Sequence, residues 1–125
     1  MDRYVIRKVD MTVREFAISV QEQLKAEGFT DFMLYREHKS PSAFLATDRD
    51  GNRYDFRVKF CVKPRKLYMN DIGFMTGLTS DQYKSVLVTN GTDITTKTRK
   101  YLEEKGMQIV LNWEAGMKVF DAFNK

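Results

Sequence analysis

The chain has 125 residues, 42% hydrophobic and 30% charged, enough for one domain that buries about two-thirds of its unfolded surface. Its 21 Lys and Arg against 17 Asp and Glu give a net charge of +4, which permits an anionic partner without demanding one. A single cysteine, Cys61, excludes a disulfide framework and a cysteine-rich zinc site, and a single histidine, His38, excludes a two-histidine metal pair.

In chain order, residues 4–9 (YVIRKV) read as a short strand. Residues 12–27 read as a helix. Thr12 and Glu15 make a capping box, and Met11 can staple onto Phe16. Val13, Phe16, Ala17, Val20 and Leu24 form its apolar stripe, and Gly28 ends it. Residues 29–37 read as a strand, followed by a break at Ser40-Pro41.

A hairpin comes next, with Asp50-Gly51 as a two-residue turn signal. Counting outward from that turn sets Ala46 opposite Asp55, Phe44 opposite Arg57, and Ser42 opposite Lys59. Alternation then puts Ala43, Leu45, Tyr54, Phe56, Val58, Phe60 and Val62 on a core face. Ser42, Phe44, Ala46, Asp48, Arg53, Asp55, Arg57, Lys59, Cys61 and Lys63 fall on a polar, solvated face.

Pro64 ends the second arm in a basic corner at residues 63–66. Asn70 or Asp71 can cap a short helix to about Leu78. Residues 85–89 read as a buried strand, and Asn90-Gly91 breaks it. Thr95 caps a helix with Ile94, Thr98, Tyr101, Leu102 and Lys105 facing inward, and Gly106 ends it. Residues 107–111 form a second apolar strand. Two strands joined by a helix lie parallel, so a parallel pair is expected at the centre of one α/β domain. Asn112 is expected to cap a last helix with a stripe of Trp113, Met117, Phe120 and Phe123. The whole implies an α/β class: a single domain, residues 1–125, with a mixed sheet, a central β-hairpin, a parallel βαβ unit and helices on both faces.

Three features carry a family resemblance. The first helix ends in a Gly28-Phe29 step. The second hairpin arm carries Lys59 near its end. The segment VLVTNGTDITTKTRKYLEEKGMQIVL supplies strand, threonine-flanked glycine turn, helix and closing strand. Over residues 12–112 this is similar to the restriction-endonuclease-like superfamily, the PD-(D/E)XK nucleases, and within it the Mrr-type restriction endonucleases. The resemblance implies an Asp on the first hairpin strand and an acid two residues before a Lys on the second. Those carboxylates hold a divalent cation that activates water and stabilises charge at the phosphate.

This chain departs from that pattern. Lys59 matches the lysine, but Arg57 stands two residues before it and would repel a cation. The Asp position falls on Phe44 or Ser42, and Pro41-Ser42 stands where the PD pair belongs. The expectation is therefore a degenerate active site, with no metal and no cofactor. A rescued site built from Glu15, Asp55 and Lys59 is the alternative, and only that reading calls for magnesium.

Arg53, Arg57, Lys59, Lys63, Arg65 and Lys66 form a candidate phosphate-tracking strip, with Phe44 and Tyr68 available for stacking. The bland reading of the same residues is a solvated hairpin face that discourages edge pairing. Asn90-Gly91-Thr92 could cradle an anion, although a plain turn explains it as well. The first function expected is a non-catalytic nucleic-acid-binding protein, with DNA the first candidate. The alternatives are an active magnesium-dependent endonuclease with relocated ligands and a protein-interaction or accessory subunit. A homodimer is one way for so small a chain to build a two-sided groove. No apolar run approaches the roughly 20 residues of a membrane span, and no signal-peptide pattern is visible, so a cytoplasmic protein is expected.

Overall fold

A computed structural model describes residues 11–34, 41–72 and 82–123. The expected strand at residues 4–9 lies outside them. The elements run α1 (Val13–Ala26), β1 (Thr30–Leu34), β2 (Ala43–Thr47), β3 (Arg53–Lys59), β4 (Lys66–Leu67), α2 (Met69–Ile72), β5 (Lys84–Thr89), β6 (Asp93–Ile94), α3 (Thr96–Glu104), β7 (Gln108–Val110) and α4 (Phe120–Phe123). Five strands form one mixed sheet in the order β1-β2-β3-β5-β7, and β4 and β6 make a two-residue parallel pair beside it. The first three strands are antiparallel, whereas β5 runs parallel to both β3 and β7. The α/β class and the parallel unit are as expected. In the sheet the second hairpin strand, β3, takes the middle, β5 lies beside it and β7 lies at the edge.

Helix α1 forms as its sequence dictates. Thr12 Oγ1 accepts from the Glu15 N–H at 3.1 Å, and Glu15 Oε1 accepts from the Thr12 N–H at 2.9 Å. This reciprocal cap satisfies two donors that a helix start leaves open. Phe16, Ala17, Val20 and Leu24 bury against Phe44, Tyr54, Phe56, Val58, Val86 and Val88 on one face of the sheet. A second cluster, with Cys61, Leu67, Ile72, Leu87, Ile94, Leu102 and Met107, covers the other face. There Thr95 caps α3 through the Thr98 N–H, and Leu102 supplies its buried anchor.

The hairpin register is one residue off the expected count. Phe44 faces Phe56, Leu45 faces Asp55, and Ala43 faces Arg57. Asp48 causes the difference. Its Oδ1 accepts from the N–H groups of Asp50 and Asn52, both at 2.9 Å. Its Oδ2 accepts from Asn52 Nδ2 at 3.1 Å and the Tyr54 hydroxyl at 3.0 Å. The backbone closes between Asp48 and Asn52, so Arg49, Asp50 and Gly51 form a three-residue loop. Gly51 takes φ +87°, the left-handed position such a loop needs. One extra loop residue turns β2 over, so Phe44 and Ala46 are buried in place of Ala43 and Leu45.

Two more expectations are corrected. Val62 is not core: it is 73% exposed, because β3 stops at Lys59. No helix starts at Asn112. That residue has φ +58°, Gly116 has φ +95°, and among the described residues from there on only Phe120–Phe123 is helical. Trp113 is buried in a turn, where its Nε1–H donates to the Met117 carbonyl at 3.2 Å. The N–H groups of Val119 and Phe120 donate to the Glu27 carboxylate at 2.8 and 2.9 Å, so α1's last turn caps α4.

Burial pushes the Asp48 carboxyl up, but its hydrogen bonds from Asn52, Tyr54 and Asp50 outweigh this, and its pKa lies below the ordinary value. The Tyr54 hydroxyl is pushed up to about 12 by burial, its bond to Asp48 and nearby negative charge. A depressed carboxylate stabilises the fold at pH above its unfolded pKa, and that contribution fades as pH falls through the folded one. Asp48→Ala is expected to cost about 1–3 kcal/mol at pH 7, because it strands the buried Tyr54 hydroxyl. Urea unfolding at pH 7 and again below about pH 4 checks this. The gap between variant and parent should narrow at the acid end.

Candidate nucleic-acid interface

The C-terminal ends of β3 and β5 lie side by side, with Lys59 paired to Thr89. Beyond that pair the ladder stops, and a side chain takes over. Asn90 Oδ1 accepts from the Cys61 N–H and Asn90 Nδ2 donates to the Cys61 carbonyl, both at 2.7 Å. Asn90 thus mimics one more strand residue. It buries Cys61 and turns Val62 and Lys63 outward. The chain then bends through Pro64 into β4, anchored by Leu67. The N–H groups of Thr92 and Thr95 donate to the carbonyls of Arg65 and Leu67 at 3.0 and 3.1 Å. This corner is rigid at the backbone and cationic at the surface.

The expected phosphate strip is not one strip. Arg57 is 2% exposed and pairs with Asp55, itself 1% exposed. Arg57 Nε donates to Asp55 Oδ1 at 2.7 Å, and its second terminal nitrogen (Nη2) donates to Oδ2 at 2.9 Å. The face read as solvated is covered by the second apolar cluster. Arg53 is exposed but begins β3, about 20 Å from Lys59 at six strand rises. Lys59 is half-buried, and Lys63, Arg65 and Lys66 are exposed. Phe44 is fully buried, stacked on Phe56 with ring centroids 5.3 Å apart, and offers no surface for a base. Tyr68 is 54% exposed.

Asp71 joins this corner, a residue the sequence suggested only as a helix cap. The guanidinium of Arg65 donates to Asp71 Oδ1 at 2.8 Å and Oδ2 at 3.0 Å, and also to the Lys66 carbonyl at 2.9 Å. Asp71 Oδ2 further accepts from the Tyr68 N–H at 2.7 Å. The Arg65 hydrogen bonds, with help from the Tyr68 N–H and the charges of Arg65 and Lys59, hold the Asp71 carboxyl at about 2 against the opposing effect of burial. Arg65 is raised in turn, chiefly by Asp71. Lys66 Nζ lies 4.0 Å from Asp93 Oδ2, a loose surface pair.

The residues of the rescued metal site do not converge. Glu15 is committed to the Thr12 cap, whose N–H and hydroxyl lower its pKa. Its helix packs on the sheet face opposite the one carrying Asp55 and Lys59. Asp55 is chelated by Arg57. Among the described residues, no group of three His, Cys, Asp or Glu side chains is placed to hold a metal ion. The described residues around Lys59 do not fit a divalent cation, because a guanidinium stands among them and takes up the nearest carboxylate.

No protein-family model matches the chain, and no curated protein matches it. Solved structures do. EndoMS in its complex with dsDNA superposes with a TM-score of 0.53 at 15% identity, over 86% of this chain and 48% of that one. The ATP-dependent Type ISP restriction-modification enzyme LlaBIII bound to DNA superposes with a TM-score of 0.50 at 18% identity, over 77% of this chain and 7% of that one. The fold is restriction-endonuclease-like. This chain spans about half the length of EndoMS and a small fraction of LlaBIII.

Removing one partner of a buried ion pair takes the compensating charge away from the other. Asp55→Ala alone is therefore expected to cost about 3–5 kcal/mol. Replacing both residues with apolar side chains, as in Asp55→Leu with Arg57→Met, should cost far less than the two single losses added together. Chemical denaturation of the single and double variants gives the coupling directly.

Proposed function

We propose that this chain is a non-catalytic nucleic-acid-binding protein, an Mrr-type nuclease fold whose metal-binding carboxylates have been replaced. The observation that carries this reading is the buried Arg57–Asp55 chelate. Where the related chemistry needs an anionic nest two residues before the lysine, this chain has a guanidinium, and the guanidinium consumes the nearest acid. With no cation to polarise a phosphate or activate water, binding is what the site can still do. Lys59, Lys63, Arg65 and Lys66 supply charge without base readout, as phosphate contacts do. That the two structures compared above are complexes with DNA supports nucleic acid as the ligand class. The protein would act in the cytoplasm without a resident metal, as a monomer or as a homodimer closing around its ligand.

A binding titration at two salt concentrations tests this. Affinity for a short duplex should fall with salt at a log–log slope of roughly −0.9 per neutralised phosphate. Lys59→Glu with Lys63→Glu should lower the affinity more than about tenfold at low salt and flatten the slope. Asp71→Asn removes a counter-charge while keeping an acceptor for the Tyr68 N–H, so it should strengthen binding. Incubation with plasmid DNA and magnesium or manganese should leave the DNA intact. Metal-dependent cleavage abolished by Lys59→Ala would return the chain to the enzymes.

A further inference from the structure

Tyr68 is an aromatic ring left in water on a backbone that is firmly held. Its N–H donates to Asp71 Oδ2 at 2.7 Å, and its carbonyl accepts from the Asp71 N–H at 2.9 Å. Next to it, Leu67 is fully buried and paired with Ile94. Tyr68 is 54% exposed, and among the described residues its ring is paired with no other aromatic ring. The other aromatic rings of the described core meet one another in pairs 5.0–6.0 Å apart.

The surroundings of Tyr68 are cationic. Arg65 and the Tyr68 backbone meet on one carboxylate: the guanidinium donates to both oxygens of Asp71, and the Tyr68 N–H donates to Asp71 Oδ2. Lys59 acts on the same Asp71 from the end of β3. Lys63 and Lys66 flank Arg65 in sequence, and both are exposed. An exposed aromatic side chain on a hydrogen-bonded backbone, with basic side chains around it, is the arrangement that binds single strands. Each unpaired base offers a π face to stack, and each flanking phosphate offers a charge to neutralise. A duplex offers the phosphates, but its bases are already stacked on one another.

We propose that Tyr68 is a stacking platform for an unpaired base, which makes the Lys59–Tyr68 corner a binding site for single-stranded nucleic acid in preference to duplex. The assignment rests on the nucleic-acid reading above and adds the form of the ligand. The ring stacks, and Lys59, Lys63 and Lys66 hold the phosphates on either side.

The test uses the full chain, a 12-nucleotide strand as DNA and as RNA, and the matching duplex, all at one low salt concentration. Tyr68→Ala should weaken single-strand binding roughly 5- to 150-fold. Duplex affinity should stay within about twofold, because the phosphate contacts are unchanged. Tyr68→Phe keeps the ring and should bind like the parent. A 2-aminopurine placed in the strand should lose fluorescence with the parent and with Tyr68→Phe, but not with Tyr68→Ala. Equal weakening of strand and duplex by Tyr68→Ala, or no weakening of either, overturns the proposal. If Lys59→Glu with Lys63→Glu weakens binding while Tyr68→Ala does nothing, the platform fails and the phosphate site survives. If the parent binds neither form, both readings fall together.

Discussion

A guanidinium and a carboxylate two residues apart on one strand meet where there is almost no water. Each alone would be costly to bury. Together, as a two-pronged chelate at 2.7 and 2.9 Å, they satisfy each other. The rest of the domain accommodates this pair. Leu87 lies beside Arg57 in the parallel ladder, and the cluster around Leu87 and Leu102 covers the sheet on that side. Such a pair adds little net stability over apolar residues of the same shape. Its effect is on identity: it fixes what the middle of the sheet can and cannot hold.

From there to the surface, the character of the chain changes over two residues. Arg57 faces inward and is spent on Asp55, whereas Lys59 reaches the end of the strand, where Asn90 finishes the ladder and lets the backbone turn away. The cations therefore gather at one corner instead of running the length of the hairpin. Arg65 is held in a plane by Asp71 and the Lys66 carbonyl, and this gives the corner a defined shape as well as a charge.

Much of this was legible in the residues. The capping box of α1, the strand-helix-strand unit and the loops that close it follow local rules, and tertiary packing agreed with them. The hairpin was less legible, for a physical reason. Strand β2 is apolar on both faces, so Ala43 with Leu45 and Phe44 with Ala46 serve equally well as a core stripe. Only the loop could decide between them. Asp50-Gly51 gives a turn signal, but the Asp48 carboxylate, two residues earlier, gathers the N–H groups that set the loop's length. The charged face of β3 held its own clue. Helices were expected on both sides of the sheet, which leaves no solvated face, and an Asp and an Arg two apart on one covered face must pair. The role of Asp71 had no such signal, because a contact that runs from before a two-residue strand into a one-turn helix has no period to read. Trp113 was misplaced because a helical stripe can be written through Gly116, although the backbone there does not continue it.

Glu27 ties the two ends of the described chain together. Its carboxylate receives the N–H groups of residues 92 and 93 positions further on. Loop-closure entropy grows slowly, by about 0.6 kcal/mol for each doubling of length, so the distance itself is a small burden. The timing is what matters. During synthesis Glu27 is made before the sheet strands, and the N–H groups that its carboxylate caps leave the ribosome only after every described sheet strand has been made. The domain therefore cannot set its final clasp until nearly all of the chain described here is free.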